Sequence, residues 1–94
     1  MINVFDTTEL EKIQSNLIEL FKKESRKDKN IMNVHSINPQ KLKNDDFNVV
    51  FDYGAVVVHI SINDSIMIKS SDKVKDIVKS MILKWYPDYK KFIK

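Results

Sequence analysis

The apolar positions of this chain follow a helical spacing at each end and an alternating spacing between. Leu10, Ile13, Leu17, Leu20 and Phe21 recur at intervals of three and four, which places them on one stripe of a helix. Asp6-Thr7-Thr8-Glu9 marks its start, with Asp6 as N-cap, Glu9 three residues on, and Phe5 and Leu10 at the staple positions. The stripe fades into the charged run Lys22–Lys29, so the helix is predicted to end near Arg26.

From Phe47 to Ser70 the period changes to two. Reading Tyr53-Gly54 as a two-residue hairpin turn, with glycine supplying a positive φ, sets Asp52 against Ala55, Phe51 against Val56, Val49 against Val58 and Phe47 against Ile60. One face then collects Phe47, Val49, Phe51, Val56, Val58 and Ile60. A three-residue loop, Asn63-Asp64-Ser65, keeps Ile62 with Ile66 and Ile60 with Ile68, whereas a two-residue loop would turn Ile66 and Ile68 to the wrong face. Ile31–Ile37 is a further strand, with Ile31, Asn33, His35 and Ile37 on one side. Asn38-Pro39-Gln40 ends it, and Lys41–Asp46 reads as a polar loop.

The second helix begins after Ser71 as N-cap, and Asp72 favours its positive end. Val74, Ile77, Val78, Met81 and Trp85 form its buried stripe. Pro87 interrupts it, and Asp88–Lys94 adds one more turn with Tyr89, Phe92 and Ile93 on one side. The order α-β-β-β-β-α predicts an α+β fold: an antiparallel three- to four-stranded meander with two helices packed on one face.

Composition narrows the class. At 94 residues the chain is one domain, 1–94, and 43% hydrophobic with 31% charged residues is a globular balance. There is no cysteine, which excludes disulfides, thiolate zinc sites and cysteine nucleophiles. The longest near-apolar run, Ala55–Ile62, is too short to span a bilayer as a helix, and no signal peptide is visible. A cytoplasmic protein with no membrane partner is the expectation.

The net charge of +3 is concentrated at one end: residues 69–94 carry eight lysines and three aspartates, while residues 1–29 balance six basic groups against six acidic ones. Lys69, Lys73, Lys75 and Lys79 surround the start of the last helix and form a candidate nucleic-acid site, since a helix N-terminus and lysines both favour phosphate. In its core order and in these lysines the chain resembles double-stranded-RNA-binding domains. It lacks the small alanines usual in their last helix and the glycine/histidine-containing loop between their early strands, so the resemblance is one of topology.

The ingredients of catalysis are sparse. His35 and His59 lie 24 positions apart with no serine placed by local spacing with either, and His59 falls opposite Asn48, about four residues of strand from Asp52. No metal-ligand spacing occurs, and a single glycine leaves no phosphate loop. No enzymatic activity, cofactor or metal is expected. If both helices cover one sheet face, Val50, Ala55, Val57 and Met67 form an apolar strip on the other, and Ile82, Leu83 and Tyr86 present a second surface on the last helix. The expected function is therefore a small protein-binding module. Its partner would be another protein or a protein–nucleic-acid complex, or a second copy in a homodimer. Small size and heavy use of Lys, Asn and Ile fit a phage or mobile-element accessory protein inhibiting a host defence or regulatory complex. An RNA- or DNA-binding module using the four lysines is the alternative.

Overall fold

The first helix, α1, spans Thr7–Glu24 and buries Leu10, Ile13, Leu17 and Phe21 as the spacing predicts. Leu20 lies on the flank and stays half-exposed, while Gln14 takes a place in the buried line. This structure, a computed structural model, describes residues 7–37 and 46–93. The Asp6 cap, the Phe5 staple and the Asn38–Asp45 part of the predicted break and loop lie outside the described residues. After α1 the chain turns on Asp28: its side-chain oxygen accepts from the Asn30 amide at 3.0 Å, and its carbonyl accepts from the Ile31 amide at 3.2 Å.

Four strands follow: β1 (Ile31–Ile37), β2 (Phe47–Tyr53), β3 (Val56–Ile62) and β4 (Ile66–Lys69). They form one antiparallel sheet in the order β1-β2-β3-β4. The three-residue loop Asn63-Asp64-Ser65 is as expected, with Ile62 opposite Ile66 and Ile60 opposite Ile68.

The first hairpin differs from its predicted register. Tyr53 pairs with Val56, so the turn is Gly54-Ala55 rather than Tyr53-Gly54. Gly54, at φ 61, occupies the first loop position, where a type II′ turn needs a residue without a Cβ. The pairing is displaced by two residues, an even number, so every strand residue keeps its predicted face. Ala55 moves into the turn and leaves the outer strip, and His59 lies opposite Val50 instead of Asn48.

Strand β1 departs further. Met32 pairs with Asp52 and His35 with Val50, leaving Asn33 and Val34 opposite Phe51 alone. Asn33 absorbs this bulge at φ 57, in the left-handed region that asparagine tolerates. Its amide donates to Asp52 Oδ2 at 2.7 Å. The bulge turns Ile31 and Val34 toward the core, while Met32, His35 and Ile37 share the opposite face. The simple alternation expected for this strand is therefore wrong.

Helix α2 spans Asp72–Trp85 after Ser71, whose backbone is extended and whose side chain makes no capping bond. Its buried line is Val74, Val78 and Ile82. Ile77, Met81 and Trp85 flank that line, so Ile82 is a core residue and not part of a surface. Six apolar positions at helical spacing allow several stripes, and the one centred on Val78 is the one that meets the sheet. Pro87 opens a 3-10 helix, Pro87–Lys91, in place of a continued α-helix. The chain then reaches the sheet edge: the Ile66 amide donates to the Phe92 carbonyl at 2.8 Å, and Ile93 bridges Ile66 in parallel.

Both helices pack on the same sheet face, α1 over β1 and β2 and α2 over β3 and β4. Phe21 joins them, 4.5 Å from Phe51 in the sheet and 5.0 Å edge-on from Trp85. The core is this single layer between helices and sheet.

Candidate functional site: the outer face of the sheet

Cross-strand register arranges the outer face in rows. Ile37, Asn48, Ser61 and Met67 form one, His35, Val50, His59 and Lys69 the next, and Met32, Asp52 and Val57 the third. Met32, Val57 and Met67 are 44%, 59% and 40% exposed, and Ile37 and Val50 are half-buried between them. Among the described residues, no helix lies over this face.

Its centre is polar and ordered. Asn48, 2% exposed, donates from Nδ2 to the Asp46 carbonyl at 2.9 Å. A carbonyl only accepts, so this bond fixes the amide's orientation and points Oδ1 at His59 Nε2. The proton therefore sits on Nε2, and His59 donates to Asn48. Burial lowers the His59 pKa below the ordinary 6.5, Lys69 lowers it further, and Asp46 acts in the opposite sense. Ser61 Oγ donates to Asp46 Oδ2 at 3.0 Å and is thus turned to a carboxylate rather than to the imidazole. Gln14 reaches the same end of the sheet from α1, its amide donating to the carbonyls of Asn48 at 2.7 Å and Ile37 at 3.2 Å. This network holds the strands in register and gives the face directional donors and acceptors within an apolar surround.

The predicted site residues separate into two groups. Val50, Val57 and Met67 lie together on this face. Ile82 is fully buried and drops out of the second proposed surface, while Leu83 and Tyr86 are half-buried against the core on the helix side. Met32 was not singled out by sequence reasoning, because only the bulge at Asn33 puts it on the same face as His35 and Ile37, in the row of Asp52 and Val57.

The four lysines are likewise divided. Lys69 stands on the outer face opposite His59, while Lys73, Lys75 and Lys79 belong to a helix on the inner side. At about 100° per residue, Lys75 and Lys79 fall on one flank of the Val74–Val78–Ile82 line and Lys73 on the other. The resemblance to double-stranded-RNA-binding domains is weakened accordingly: the sheet has four strands, and the lysines do not converge. Among the described residues no group of three or more His, Asp or Glu side chains is placed to hold a metal ion, and no helix is long and apolar enough to cross a membrane. Compared with protein-family models, curated proteins and solved structures, the chain matches none.

Proposed function

We propose that this chain is a non-enzymatic protein-binding module that engages a partner protein through the outer face of its sheet. The observation that carries this reading is the exposure of Met32, Val57 and Met67 on one face of a sheet whose other face packs against both helices. Methionine and valine side chains around a fixed polar centre suit a flat apolar partner surface. Lys69 at the margin favours an acidic group on it. An accessory role for a phage or mobile element, occupying a surface of a regulatory or defence complex, fits the chain's small size and its Lys, Asn and Ile usage.

The test is the double variant Val57→Asp/Met67→Asp, assayed by partner capture from nuclease-treated lysate and by light scattering. Both positions are exposed, so the melting transition should move by no more than about 0.5 kcal/mol, while partner affinity falls at least about tenfold. A complex that survives both substitutions unchanged would remove this face from consideration. A homodimer lost on substitution would identify the partner as a second copy.

A further inference from the structure

A groove opens between α1 and the C-terminal segment. Its first part, about 450 Å³, is lined by Lys22, Lys23, Arg26, Glu19, Leu20 and Tyr86. Asn16 continues the wall into a second part of about 300 Å³ lined by Glu9, Lys12, Ile13 and Tyr89, where one carboxylate balances one lysine. Tyr86 and Tyr89 stack with ring centroids 4.7 Å apart and 21° between planes, one ring lining each part.

We propose that this groove binds a short single-stranded nucleic-acid segment, with a base on Tyr86 and phosphates on Lys22, Lys23 and Arg26. This inference is independent of the protein-binding reading, because the groove lies in the helix layer and the proposed protein surface on the far side of the sheet. Three cations face one carboxylate, Glu19, so the first part of the groove carries a local positive charge. Cations in the last turn of a helix also complement its dipole, but dipole compensation needs no aromatic wall. Tyr86, already half of a two-ring stack, gives a planar ring a surface that a base continues, and Arg26 supplies a planar donor fork for phosphate. The extension past Asn16 to Tyr89 gives room for a second unit of a polymer, beyond what a single mononucleotide fills.

Fluorescence anisotropy with a labelled short thymidine oligonucleotide tests this on the full chain. The wild type should bind at low salt, with affinity falling along a log–log slope of roughly −0.7 per phosphate contacted. Lys22→Glu/Lys23→Glu/Arg26→Glu, at three exposed positions that leave the core untouched, should abolish binding. Tyr86→Ala should weaken it about tenfold with the slope unchanged, its fold checked by melting because Tyr86 packs partly on the core. Lys73→Glu/Lys75→Glu/Lys79→Glu should change it less than about threefold. The proposal is overturned by any of four results: no wild-type binding at low salt, loss with the α2 variant but not the groove variant, a free mononucleotide competing as well as the oligomer, or an acidic tyrosine-containing peptide binding the groove more tightly than the strand.

Discussion

Val57 and Val58 are neighbours in β3 with the same side chain, yet Val57 is 59% exposed and Val58 is inaccessible. The difference runs across the whole sheet. The centre of the inner face is hydrocarbon, filled by Val49, Phe51, Ile60, Ile62, Ile66 and Ile68. The outer face mixes Val50, Val57 and Met67 with Asn48, His59, Ser61 and Asp52. One face gains stability by excluding water from continuous apolar area. The other is held by a few directed bonds and remains available for contact. Residue type alone does not distinguish these situations, because β-branched side chains suit both faces of a pleated strand.

The sharpest way to break the comparison is to place the same charge on either layer. Ile82→Asp puts a carboxylate at a fully buried position of α2. The burial cost is comparable to the total stability of a domain, about 5–15 kcal/mol. The cooperative far-UV melt should vanish, whereas Val57→Asp should retain it. A folded Ile82→Asp protein with a wild-type melting point would refute the assignment of Ile82 to the core.

A smaller effect is expected from the polar centre of the outer face. Asn48→Ala removes the partners of His59 Nε2 and of the Asp46 carbonyl. Denaturant titration should show a loss of about 1–3 kcal/mol. A change within measurement error would mean that the network decorates the sheet without holding it.

The smallest effect concerns protons. Burial, and secondarily Lys69, keep the folded-state pKa of His59 below its ordinary 6.5, with Asp46 opposing. The unfolded chain then binds this proton more readily, so stability is fully present above 6.5 and declines as pH falls from there toward the lowered value. Between about pH 7.5 and about pH 5.5 the wild-type midpoint should fall more than that of His59→Gln. Identical slopes in the two proteins would show that His59 titrates alike in both states.

Much of the inner face was legible because it depends on periodicity, and periodicity survives errors of detail. The hairpin register was displaced by two residues, yet Phe47, Val49, Phe51, Val58 and Ile60 stayed together, since side chains repeat with the same step. The Asn63–Ser65 loop was recoverable for the same reason: only three residues there keep the isoleucines on one side. Strand β1 was not legible in its faces, because a bulge at Asn33 resets the alternation and asparagine is no unique signal for it. Nothing in the local pattern marks Gln14 and Asn48 as buried. Their burial follows from meeting backbone carbonyls 23 to 34 residues away in the case of Gln14, and His59 in the case of Asn48. The outer strip was half legible, Val57 and Met67 from parity, Met32 only from the bulge. The groove between the helices was hidden because α1 balances its charge along the chain, and only the fold brings its basic end against Tyr86.

The ends of the sheet carry one more consequence. Along β4 the first rung of the edge ladder is taken by the chain itself, Ile66 reaching Phe92 and bridging Ile93. Along β1 the bulge at Asn33 disrupts the regular spacing that another strand would need to copy. A foreign strand seeking to zip onto this protein meets a template whose first rung is taken on one side and a mismatched one on the other. Both devices work against edge-to-edge growth between crowded molecules and leave the broad face as the more open approach.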